Sequence, residues 1–156
     1  FSQGFQDMRL RRIFTELGLD QPTGSFVEFG WRGRYGANTH ALSVRGWSGV
    51  RFDGNPPRRD AERDNVVRAM ITSKNIVALF HRNGVPLNVT YVSIDIDSAD
   101  IWLLGKLLES AYKPAVLTIE YNPNYPWGYP LAFPDLDHEV RGISSRARTW
   151  DGSCYM

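Results

Sequence analysis

A Rossmann-like α/β sandwich of three layers around a mostly parallel sheet is the fold class that three features of the sequence predict. Short apolar runs rich in Val, Ile, Phe and Tyr alternate with segments of helical periodicity along the chain. Clusters of Gly, Pro and Asn mark the boundaries between them. The first apolar run ends in a glycine-rich turn, Gly30 to Gly36, that leads into a helix start. Strands joined through helices need crossover connections, and these produce parallel strands covered on both faces.

The first predicted element is an amphipathic helix that carries Phe5, Met8, Ile13, Phe14 and Leu17 at helical spacing, with Gly18 as its stop. Arg9, Arg11, Arg12 and Glu16 fill its polar face. Ser25 to Phe29 reads as the first strand. After the glycine turn, Asn38 or Thr39 can cap a helix that runs to about Arg45 and ends at Gly46. Val50 to Asp53 is the second strand, broken by Gly54-Asn55-Pro56-Pro57, and Arg58 to Asn65 a further helix. Val66 to Ile71 is the third strand. Thr72 or Ser73 would cap the next helix, which turns Ile76, Val77, Leu79 and Phe80 inward and stops at Gly84. Thr90 to Asp95 is the fourth strand. Ser98 or Asp100 then caps a helix with Ile101, Leu104, Leu107, Leu108 and Ala111 on one face, and Ala115 to Glu120 is the fifth strand.

A chain of 156 residues fits one domain with a real core. No apolar run approaches the length of a membrane span, and no cleavable signal pattern is visible, so the compartment stays open. A net charge of +1 gives no electrostatic case for nucleic acid or an anionic membrane. The densest charge run, Arg58 to Asp64, reads as a solvated helix face. Cys154 is the only cysteine, which rules out an internal disulfide and a cysteine-cluster zinc site. His40, His81 and His138 form no ligand spacing and read as ordinary polar positions, although His138, among Asp135, Asp137 and Glu139, could line a substrate entrance. The segment from Asn122 to Pro134, with Tyr125, Trp127, Tyr129 and Phe133, reads as a packed aromatic loop that could wall a pocket or dock a protein partner.

In an open α/β sheet, ligands bind beyond the carboxyl ends of the strands, near the switch in strand order. The residues there are Glu28, Gly30, Gly33 and Asn38 after the first strand and Asp53 after the second. Glycines let a ligand approach the backbone, and a helix start offers free N–H donors. A carboxylate about twenty residues further on suits a ribose diol. Together they point to an adenosine-type ligand, against the plainer reading of a structural turn. Asp95 and Asp97 end the fourth strand, where two carboxylates on one face of an extended backbone can deprotonate a hydroxyl or hold a divalent metal. Asn122 is a candidate third ligand. The plainer reading has one carboxylate capping the next helix and the other in solvent; metal binding is not favoured.

Phe26-Val27-Glu28-Phe29-Gly30, then Gly33, Asn38-Thr39, Gly46-Trp47-Ser48-Gly49 and Asp53, resemble the opening of FkbM-like class I methyltransferases. Ser2-Gln3 with Gln6-Asp7 resembles that family's lead-in. Ser93-Ile94-Asp95-Ile96-Asp97-Ser98 and Ile119-Glu120-Tyr121-Asn122 resemble its fourth- and fifth-strand signatures. The resemblance implies S-adenosylmethionine over the Gly30 turn with Asp53 on its ribose, and Glu28 beneath the turn or near the methionine part. It implies O-methylation of a small-molecule or sugar-like hydroxyl. Ile71 and Thr72 would border the adenine, unless Thr72 is simply a helix cap.

Three departures shape the expectations. Trp31 stands where the family usually has a small residue, and an indole above the Gly30 turn would exclude the cofactor. Ser98 replaces a glycine. Class I methyltransferases carry two strands more than the five readable here, so the domain is expected to be incomplete at its C-terminal end. The competing reading is a non-catalytic relative serving in a larger assembly, with Trp31 filling the cofactor space and the aromatic loop as its docking surface.

Overall fold

The computed structural model describes residues 5–121 except 32 and 98, together with Gly128, Ala132 and Asp135. Helix and strand alternate through α1 (Gln6–Glu16), β1 (Ser25–Phe29), α2 (His40–Val44), β2 (Ser48–Asp53) and α3 (Arg58–Arg63). They continue through β3 (Val66–Arg68), α4 (Ile76–Arg82), β4 (Tyr91–Ile94), α5 (Asp100–Glu109) and β5 (Val116–Ile119). All strand pairings are parallel, in the order β3-β2-β1-β4-β5. The chain is a Rossmann-like α/β sandwich. Its strand order reverses between β1 and β4, which makes the carboxyl ends of those two strands the place where such sheets open a crevice.

One face of the sheet is wholly apolar. Val27, Phe29, Val50, Phe52, Val92 and Ile94 pack there against Ile76, Leu79 and Phe80 of α4 and Leu103 and Leu107 of α5. Phe29 stacks on Phe52 and on Phe80 at centroid distances of 5.5 and 5.8 Å. On the opposite face Phe26, Tyr91 and Val116 meet Leu10 and Phe14 of α1, Leu42 of α2, and Trp47. Burying each such side chain stabilises the fold by about 1.5–3 kcal/mol.

The structure corrects several boundaries and faces. Of the five residues expected to turn α1 inward, only Phe14 is buried; Leu10 joins it, and Phe5, Met8 and Leu17 are 73%, 65% and 57% exposed. Leu10 and Phe14 sit four residues apart on one stripe, and Phe14 finds its partners in the Trp47 ring at 5.1 Å and the Tyr91 ring at 5.8 Å. In α5 the inward pair is Leu103 and Leu107, while Ile101 and Leu108 face out and Ala111 lies beyond the helix. β3 stops at Arg68, three residues early, because Asn75 draws the chain into a turn: its Nδ2 donates to Met70 O and its Oδ1 accepts from Thr72 N. Asn75, not Thr72 or Ser73, occupies the N-cap position of α4. The run Arg58 to Asp64 is not solvated throughout, since Asp64 is buried between Arg34 and Arg63. Among the described residues no helix is long and apolar enough to cross a membrane.

Candidate functional site

β1 and β2 run in register to their tips, where Phe29 faces Phe52 and the next N–H, that of Gly30, donates to Phe52 O at 3.0 Å. Gly30 has φ +76°, and a Cβ there would lie 1.7 Å from the carbonyl oxygen of Asp95. The turn is thus wedged against the end of β4, so glycine is required by contact as well as by conformation. Gly33 has φ +96° but, among the described residues, nothing within 4 Å of its Cβ position. Gly36 N closes the turn on Gly33 O.

Glu28 lies beneath this turn, 3% exposed. Its carboxylate accepts hydrogen bonds from Asn38 N at 2.7 Å, from Thr39 N at 3.4 Å and from the Thr39 hydroxyl. Arg51 Nε stands 3.6 Å from its Oε2. Burial pushes the Glu28 carboxyl up, while Thr39, the Asn38 N–H and Arg51 pull against that rise. Glu28 therefore ties down the start of α2 from inside. Thr39 is the N-cap residue of α2, but its hydroxyl serves Glu28 and makes no cap bond. The Asn38 side chain points at β4, with Nδ2 donating to Ser93 Oγ at 3.0 Å. At the tip of β2, half-buried Asp53 accepts from Asn55 N at 2.6 Å.

Beyond β4 the expectation of one extended strand face fails, because β4 ends at Ile94 and Asp97 has φ +66°. The turn still brings the two carboxylates together and adds a third. Asp95, Asp97 and Glu120 each offer an oxygen within 4.8 Å of the others, an arrangement that can share a proton or contact a cation. Asp100 takes the structural part, its Oδ1 accepting from Ile96 N at 2.9 Å to close the loop into α5. Ser98 and Asn122 lie outside the described residues.

A cavity of about 280 Å³ opens beside these acids, between α1 and the carboxyl ends of β4 and β5. Arg9 and Ile13 form part of one wall; Ser93, Thr118, Asp95 and Glu120 line the other. Its hydroxyls are linked, Tyr91 to Thr118 at 2.8 Å and Thr118 to Ser93 at 3.4 Å. A larger cavity, about 380 Å³ between α1 and α2, lies away from the acids against Leu10, Leu42 and Val44.

No family model, curated protein or solved structure matches the chain.

The residues singled out in the sequence thus fall into two groups. Gly30 and Asp53 stand at the tips of β1 and β2 with Gly33 in the turn that follows, and Asp95 and Asp97 gather beyond β4. Glu28 and Asn38 are turned inward to hold the turn. Trp31 is buried with Ala37 and Val66. His40 is half-buried, and burial with Arg34 and Arg51 nearby lowers its pKa; His81 is exposed. The aromatic loop 122–134, with Tyr125, Trp127, Tyr129 and Phe133, and His138 and Cys154 lie outside the described residues, Gly128 and Ala132 excepted. Sequence reasoning gave Glu120, quoted only within the fifth-strand signature, no role at the site, and it missed Arg51. Glu120 had a signal, as the last residue of a strand beside the acidic pair. Arg51 had only its own oddity, a charge inside an apolar strand.

Proposed function

We propose that this chain carries the S-adenosylmethionine-binding part of a class I methyltransferase of the FkbM-like kind, acting on a small-molecule or sugar-like hydroxyl. The observation that carries the reading is the Gly30 turn at the switch in strand order, with Asp53 at the adjoining strand tip. Turns of this kind accept the negatively polarised parts of a nucleotide-like ligand on backbone N–H groups. Gly33, open on its Cβ side, leaves room for close approach.

Bound S-adenosylmethionine supplies an electrophilic methyl group on a sulfonium centre. Asp53 would hold the ribose diol with its carboxylate, and the backbone at Gly30 and Gly33 would line the methionine end. Glu28 and Asn38 act from beneath, fixing the turn. Asp95, with Asp97 and Glu120 beside it, orients the acceptor hydroxyl and takes its proton. Holding the acceptor in line is the larger contribution, because oriented reactants replace a bimolecular encounter. A cation at the three carboxylates would lower the hydroxyl pKa further but is not required by this reading.

Titration of the folded protein with S-adenosylhomocysteine tests the proposal. Binding in the micromolar range, weakened at least about tenfold by Asp53→Ala, is the expected result. An unresponsive wild-type protein would sink it in favour of a non-catalytic assembly subunit. One observation favours that second reading: Glu28, beside the turn, is built into the interior at 3% exposure and spends its carboxylate on Asn38 and Thr39.

A further inference from the structure

Trp31 follows Gly30 directly, so its indole has two ways to go: against the sheet face, or out over the strand tips. It takes the first. The ring is buried among Ala37, Val66 and Ala61. Among the described residues its Nε1 finds no hydrogen-bond partner, so no polar contact seen there fixes the orientation. The Arg51 guanidinium lies over it instead, 4.7 Å from the ring centroid, and also 4.6 Å from the centroid of Phe26. A planar cation over an indole face is the geometry in which the attraction is strongest, and burial strengthens it.

Arg51 is itself immobilised. Its Nε donates to Thr39 Oγ1 at 3.0 Å, its Nη1 to Asp64 O at 2.7 Å, and its Nη2 to Ser43 Oγ and Thr39 O. Those partners belong to α2 with its N-cap and to the turn after α3, so the guanidinium is gripped from two sides of the indole's bed. We infer that Arg51 is a positioning residue that latches Trp31 against the sheet and so keeps the indole off the ligand site at the Gly30 turn. This rests on the methyltransferase reading above for the identity of that ligand. It also answers the difficulty that a large residue raises at this place: the indole is compatible with an open turn because a buried arginine two residues before Asp53 holds it down.

Arg51→Lys is the sharpest probe, because lysine keeps a positive charge near Glu28 but loses the planar face and the fixed fork of donors. We expect its affinity for S-adenosylhomocysteine to fall about tenfold, the loss of one buried cation–π contact. Acrylamide quenching of the Trp31 emission, isolated by difference from Trp31→Phe, should rise without ligand present. In a Trp31→Leu background the same lysine substitution should change binding by less than about twofold, since the residue it acts through is gone. Equal losses in both backgrounds would overturn the latch and assign Arg51 to the Glu28–Thr39 turn alone, as would unchanged quenching. Should Arg51→Lys not fold, Trp31→Leu alone decides: wild-type affinity supports an indole that stands clear, and a tenfold loss makes it a wall of the site and overturns the latch. If the wild-type protein binds no S-adenosylhomocysteine, the methyltransferase reading fails by itself, and quenching in Arg51→Lys still tests the latch.

Discussion

Gly30 and Gly33 both have positive φ, yet they need glycine for different reasons. At Gly33 a side chain meets none of the described residues, so alanine there carries the strain of the backbone, about 1–2 kcal/mol. At Gly30 alanine carries that strain and also drives a methyl group into the Asp95 carbonyl, which adds about 1–3 kcal/mol as the strands shift apart. Urea denaturation should therefore rank Gly30→Ala well below Gly33→Ala in stability; equal losses would show that conformation alone demands the glycine. The sequence made both glycines, and Asp53, visible because turn chemistry and spacing are local. Arg51 was not visible in the same way. Strands of a parallel sheet are buried on both faces and read as continuous apolar runs, so Val50-Arg51-Phe52 gives no hint that its arginine has Glu28, Thr39 and Asp64 waiting around it. That information lies in residues distant along the chain. The same holds for the direction of Glu28, which the sequence left either beneath the turn or near the methionine part and which Asn38 and Thr39 hold inward.

The elements themselves were legible to a different depth. β1 has the predicted bounds, Ser25–Phe29, because apolar residues and flanking glycines delimit it on both sides. α1 was legible as a helix but not as to its buried face. Apolar side chains lie all around it, and only the rings of Trp47 and Tyr91 decide that Leu10 and Phe14 turn inward. A pair of substitutions checks that assignment. Phe14→Ala should destabilise the protein by about 3–5 kcal/mol, the range for emptying an aromatic site in a core. Met8→Ala, at a side chain 65% exposed, should stay within about 0.5 kcal/mol of wild type. Thermal or urea unfolding measures both, and comparable losses would restore the wider inward face that periodicity suggested. The end of β3 and the start of α4 failed for a related reason. Asn75 bonds backward to Met70 and Thr72, and a side-chain bridge of that kind competes with the regular ladder without any periodic signature.

Across the whole molecule the two sheet faces differ in kind, and the difference makes stability depend on pH. One face is an apolar layer; the other carries Arg51, Glu28, Ser93 and Thr118 in register on β2, β1, β4 and β5. Arg51 passes this polar row on to Asp64 through the Asp64 carbonyl, and the Asp64 carboxylate accepts from Arg34 of the glycine turn at 2.9 Å and from Arg63 of α3 at 3.1 Å. Burial pushes the Asp64 carboxyl up, but Arg34 and Arg63 together outweigh it and hold the carboxyl below its ordinary 3.8. A carboxyl lowered on folding adds stability that is present above its unfolded pKa and disappears as pH falls through the folded one. Glu28 has the opposite sign. Its carboxyl is raised by burial, so its contribution is fully present below its ordinary 4.5 and declines as pH rises through the folded value. Comparing wild type with Asp64→Asn removes the Glu28 effect, since that residue is common to both. The wild type should be the more stable above about pH 5, and the gap should close as pH falls toward about 2. Salt should narrow the gap at neutral pH too, because the Arg34 and Arg63 side chains are 38% and 52% exposed. A gap that stays constant from pH 5 to about 2 would mean that the Asp64 charge contributes nothing, and that the tie between the glycine turn and β3 rests on packing around Trp31 alone.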